Sequence, residues 1–105
     1  MVRHIVSWNF KPELTEQQRK ELAVQVVEQL NALQGQIPGL VHIQAHCPPM
    51  DSSNCDLVLY SEVSCPEDLP AYQNHPAHQA VLPLIKENFC DRRCCCLLYT
   101  SDAAD

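Results

Sequence analysis

Val2-Arg3-His4-Ile5-Val6-Ser7-Trp8-Asn9-Phe10 is the stretch on which the fold turns. His4, Val6, Trp8 and Phe10 alternate with Arg3, Ile5, Ser7 and Asn9, the two-residue period of a strand with two unlike faces. Lys11-Pro12-Glu13 ends it. His4 shares its side with large apolar groups, which suits either a buried histidine with one satisfied hydrogen bond or the wall of a pocket.

Beyond this strand, Thr15-Glu16-Gln17-Gln18 is a capping box that opens a helix reaching about Leu33. Leu22, Val26, Leu30 and Leu33 form its apolar stripe, Ala23 and Val27 widen it, and Gly35 supplies a left-handed stop. After the turn at Ile37-Pro38-Gly39-Leu40, a second strand over residues 41–46 sets Val41, Ile43 and Ala45 against His42, Gln44 and His46. A loop rich in proline and small polar residues follows. The third strand, residues 56–63, sets Leu57, Leu59 and Val63 against Val58, Tyr60 and Glu62.

Ser64-Cys65-Pro66-Glu67-Asp68 opens a short helix to Tyr72. A further helix from Pro76 to about Phe89 is expected to turn Ala80, Val81, Leu84, Ile85 and Phe89 inward, with a kink or a broken first half at Pro83. Asp91-Arg92-Arg93 reads as a polar junction and residues 94–99 as a last strand. The order strand, helix, strand, strand, helices, strand implies an α+β, ferredoxin-like sandwich with a four-stranded antiparallel sheet and helices on one face. The other face, expected to hold Trp8 and Phe10, would then need cover from a second copy, giving a homodimer.

Composition narrows the partners. Thirteen acidic against 7 basic residues give a formal charge of −6, which argues against nucleic acid and anionic membranes. No apolar run approaches a membrane span and no signal-peptide core precedes the first strand, so a cytoplasmic protein is expected. Seven cysteines, an odd number without a Cys-x-x-Cys, read as free thiols. With two glycines there is no phosphate-cradling loop, and no cofactor is expected.

The chemistry is concentrated in Tyr72-Gln73-Asn74-His75-Pro76-Ala77-His78. Pro76 suits a first helical position, with His75 or Asn74 as the cap. His78 then falls in the first turn, where unpaired N–H groups favour a neutral imidazole. A neutral imidazole near a phenol can be an acid/base pair or a structural hydrogen bond, and spacing alone favours the structural bond. A metal site from His4, His75 and His78 is the weakest reading, because Pro76 makes His75 a cap residue.

The pieces Val2-Arg3-His4-Ile5-Val6, Phe10-Lys11-Pro12, Ile37-Pro38-Gly39, Ala71-Tyr72, His75-Pro76-Ala77-His78 and Asp91-Arg92 together resemble the stress-responsive dimeric α/β-barrel (Dabb) family. The likeness runs from Met1 to about Cys95. It implies two ferredoxin-like subunits packed sheet to sheet, each with a small cleft between sheet and helices. The Tyr…His-Pro-Ala-His motif is similar to that of the plant polyketide (olivetolic acid) cyclase branch. On that resemblance His78 would be the general base and Tyr72 the donor to the substrate carbonyl, with His4, Trp8 and His75 binding a small apolar carbonyl compound. The alternative is a stress-associated dimer that binds or scaffolds without catalysis. Pro83 departs from the family's usual helix.

Cys96-Leu97-Leu98-Tyr99-Thr100-Ser101-Asp102-Ala103-Ala104-Asp105 looks like the translation of a transposon-end adapter from short-read sequencing libraries. The expected domain is therefore 1–95, with 96–105 a non-native tail. Residues 101–105 are expected to lie outside the packed domain, while the apolar residues 96–99 can imitate a strand.

Overall fold

The computed structural model describes residues 1–99. Four strands, β1 (Val2–Phe10), β2 (Leu40–His46), β3 (Leu57–Val63) and β4 (Phe89–Leu98), form one antiparallel sheet in the order β2-β3-β1-β4. Helix α1 (Glu16–Asn31) joins β1 to β2, and three short helices join β3 to β4: α2 (Asp68–Gln73), α3 (Pro76–Gln79) and α4 (Leu82–Asn88). This is the ferredoxin-like α+β fold that the element order implies.

Local signals hold where they rest on backbone chemistry. Thr15 accepts from the Gln18 N–H at 3.1 Å while the Thr15 N–H donates to the Gln18 side chain at 2.8 Å, closing the capping box. Gly35 sits at φ 82° just past α1. The residues behind it tie α1 to the sheet. Gln34 donates to the Val41 carbonyl and accepts from the Ile43 N–H, and the Asn31 side chain accepts from the Ala45 N–H. These bonds occupy the outer edge of β2 that no strand covers.

Register assigns the faces. Val2, Val6 and Trp8 stand opposite Val63, Leu59 and Leu57, and His4 opposite Ser61. All of these are buried beneath the helices with Val26 and Leu30 of α1 and Val81 and Ile85 of the second half. Trp8, expected on the bare face, is only 7% exposed and lies on the covered one. Phe10 is half-buried against the same core, its ring stacked on Phe89 with centroids 4.9 Å apart. The cause is the alternation itself: residues two apart share a side, so Trp8 and Phe10 cannot part from His4. The bare face instead carries Arg3, Ile5 and Ser7 beside Glu62, Tyr60 and Val58, with His42 and Gln44 from β2.

Three further expectations are corrected. A register shift between Leu40 and His42 turns Val41 outward, 44% exposed, and seats Leu40 in the core instead. Ala80 is exposed, because the helix breaks after Gln79, at the C-cap that precedes α4 and Pro83. The last strand begins at Phe89, so residues 91–93 belong to it. Between Ser7 and Asn9 the pairing slips by one, and Asp91 and Arg92 together oppose Trp8, with Asp91 at φ 56°. This is a β-bulge with its first residue left-handed. Residues 96–98 pair with β1 as strand, and residues 101–105, expected outside the packed domain, lie outside the described residues.

Candidate functional site

Between the covered sheet face and α2–α4 lies a cavity of about 310 Å³, at the small end of ligand pockets. Val6, Trp8 and Leu59 supply its apolar floor from the sheet, and Leu30 closes it from α1. The polar groups reaching it include His4, Tyr72, His78 and Arg92.

Pro76 takes the first position of α3, and His75 caps it: its Nδ1 accepts from the Ala77 N–H at 3.1 Å. His75 is thereby spent on the backbone and is not among the cavity-lining residues, unlike the other expected ligand-binding residues, His4 and Trp8. The turn delivers His78 beside Tyr72, ring centroids 4.7 Å apart and tilted by 56°. His78 Nδ1 lies 3.0 Å from the Gln73 carbonyl. A carbonyl can only accept, so Nδ1 carries the proton and Nε2 keeps the free lone pair.

Burial pushes the His78 pKa below its ordinary value, and the Arg92 charge adds to this, against the Gln73 bond which pulls the other way. His4 is lowered by burial first, then by Arg92 and by His78. Both rings are thus held as neutral imidazoles. The sequence points to the start of a helix as the reason for His78; the structure gives burial and Arg92 instead.

Tyr72 is 1% exposed, and its ring meets His4 edge-on with centroids 6.3 Å apart. Its hydroxyl is buried without a hydrogen-bond partner. The Ser61 hydroxyl, near enough to offset burial in part, donates to the His4 carbonyl at 3.3 Å. Burial pushes the phenol up to about 12, so it stays a donor through the working pH range. The structural Tyr72–His78 hydrogen bond that spacing favours is therefore not made. The rings touch and the phenol hydroxyl has no partner at hydrogen-bond geometry, an arrangement that costs about 1–3 kcal/mol unless something fills it.

Arg92 escapes a reading of the sequence that treats residues 91–93 as a junction. Alternation run back from Cys94, which pairs with Val6, would have found it on the covered face. For a metal, the ligand atoms of His4, Cys94 and Cys96 come within 4.8 Å of one another. Of the other two imidazoles expected in such a site, His75 Nδ1 is engaged as a cap and His78 Nδ1 on the Gln73 carbonyl.

Solved structures share this architecture. A dimeric ferredoxin-like protein of unknown function from Bacteroides fragilis superposes with a TM-score of 0.85 at 22% identity, over 93% of this chain and 95% of that one. A dimeric ferredoxin-like protein from Thermobifida fusca gives 0.78 at 24% identity, over 93% and 90%. A hydroxynitrile lyase from Passiflora edulis gives 0.73 at 13% identity, over 94% and 93%. No curated protein gives a significant match. The family model for the stress responsive A/B barrel domain matches residues 2–96, and the chain belongs to that Dabb family.

Proposed function

We propose that this protein is a homodimer that binds a small, largely apolar carbonyl compound in the cleft beside its sheet and carries out cofactor-free acid/base chemistry there, of the aldol or cyclase type. One observation carries the reading: a buried phenol hydroxyl without a partner shares a cavity with a neutral imidazole whose Nδ1 is already engaged. In this reaction His78 Nε2 removes a proton from the carbon next to the ligand carbonyl. Tyr72 donates to the carbonyl oxygen as it gains enolate charge, in surroundings of Val6, Trp8 and Leu59 that strengthen the bond. The enolate carbon attacks a second carbonyl of the same molecule, and the new alkoxide takes back the proton held on His78. No net charge or electron is left over.

The dimer uses the bare sheet face. Ile5, Val58 and Tyr60 are half-buried there with no layer above them, and neighbours of the same fold are dimeric. The seven cysteines are unpaired, which fits a reducing, cytoplasmic setting. The family's description as stress responsive supports a role in a stress response.

The test is exchange of the protons next to the carbonyl of phenylacetone into heavy water, followed by proton NMR. Exchange above buffer is expected, with losses of roughly a hundredfold in His78→Ala and in Tyr72→Phe. Phenylacetone bound by the folded protein without any exchange would leave a binding dimer in place of an enzyme.

A further inference from the structure

We infer that the compound this cavity selects carries a carboxylate as well as its carbonyl, and that Arg92 with Lys86 seats that carboxylate at the cavity mouth. The inference rests on Tyr72 and His78 being the carbonyl site.

The chain is strongly acidic, 13 Asp and Glu against 7 Lys and Arg, yet this cavity reverses the balance. Arg92 and Lys86 line it, and no aspartate or glutamate does. Lys86 comes from α4 and Arg92 from β4, so two separate elements bring cations to one opening.

Arg92 reaches the cavity through a local device. The bulge spends two residues opposite Trp8, and Asp91 takes the left-handed conformation, uncommon for a residue other than glycine. Asp91 then turns its carboxylate to the bare side, where Asn9 donates to it at 3.2 Å, and Arg93 pairs there with Ser7. The adjacent acid is thereby kept away from the guanidinium it could have neutralised. Among the described residues no carboxylate lies within the 4.0 Å of an ion pair with Arg92 or Lys86; the ion pair present is Arg3–Glu62, on the bare face. Arg92 lines the same cavity as His4 and His78, and its charge lowers the pKa of both.

An unpaired guanidinium and an ammonium beside an apolar cavity match a carboxylate in charge, and the guanidinium fork matches it in shape. A carboxylate bound there would also screen the Arg92 charge from His78 and make that imidazole a better base, so the correct ligand would strengthen its own catalyst.

Phenylpyruvate, its methyl ester and phenylacetone share a benzyl ketone and differ in the group beyond the carbonyl. Calorimetric titration of the intact protein is expected to show phenylpyruvate binding about tenfold tighter than either neutral compound, an advantage that shrinks as salt rises. Arg92→Gln should erase most of this preference, read in each variant as the ratio of acid to ester affinity, Lys86→Gln should erase a smaller part, and Arg92→Lys should keep some of it. Equal affinity for acid and ester, or a preference that survives in the double variant Arg92→Gln, Lys86→Gln, overturns the carboxylate seat while leaving the carbonyl chemistry standing. Failure of all three compounds to bind overturns both.

Discussion

The two faces of the sheet are made by the same strands and have opposite fates. Val6 is 2% exposed and roofed by helices, while Ile5 beside it is half-buried with nothing of its own chain above. Leu57 is fully buried and Val58 is not. Every group assigned a chemical role stands on the covered side, on the sheet or on the helices over it, and the bare face holds the Arg3–Glu62 pair, the Tyr60 hydroxyl bonded to Glu62, and a thin set of apolar residues. A strand's alternation sorts residues into two sets, and the elements that pack on it decide which set becomes the core.

The sharpest contrast is one position apart. Leu57→Ala should cost about 2–5 kcal/mol, because the side chain is enclosed by Trp8 and the helix layer and its removal leaves a cavity. Val58→Ala should cost about 1 kcal/mol or less in the stability of the subunit. Urea unfolding of the two variants measures the difference, and similar midpoints would erase the distinction between the faces.

The bare face is tested by association. Ile5→Asp puts an unpaired charge in the middle of the proposed sheet-to-sheet contact and should weaken the dimer by about 2 kcal/mol or more while each subunit stays folded. Sedimentation reads this directly. A chain that is already monomeric before substitution removes the need for a partner over this face.

What the sequence reveals follows the range of the physics involved. The capping box at Thr15, the stop near Gly35, the cap at His75 with Pro76 behind it and the interruption near Pro83 are all decided within a few residues, and all are legible. The placement of His78 beside Tyr72 is legible for the same reason. Trp8 and Phe10 were assignable to one face but not to the roofed one, since that depends on helices far along the chain. Arg92 is hidden by where the last strand is taken to begin: a start at Cys94 leaves residues 91–93 as a junction, and Asp91, which takes a positive φ without advertising it as glycine does, gives no sign that the strand runs back to Phe89. That the Tyr72 hydroxyl lacks a partner is a property of three elements together, and no spacing along the chain contains it.

The smallest effect is a pH dependence confined to the covered face. His4 and His78 have folded pKa values below the ordinary 6.5, for which burial is the first cause and Arg92 a contributor in both. The charged groups lining the cavity around them are Arg92 of β4 and Lys86 of α4, with Tyr72 of α2 neutral and no carboxylate to reward protonation. As pH falls through about 6.5 the unfolded chain takes up protons on these two histidines that the folded chain refuses, so the unfolded state gains and stability declines. The loss begins near the unfolded value, continues down to the folded ones and is fully reversed above it, so stability rises with pH across that window. Urea midpoints at about pH 7.5 and about pH 5.2, above the range where carboxylates dominate, should differ in that direction. Arg92→Gln removes a positive charge from beside both rings, raises their folded pKa values toward 6.5 and should flatten the slope. An unchanged slope in Arg92→Gln would detach Arg92 from the imidazoles, and with it the link between the cavity mouth and the base.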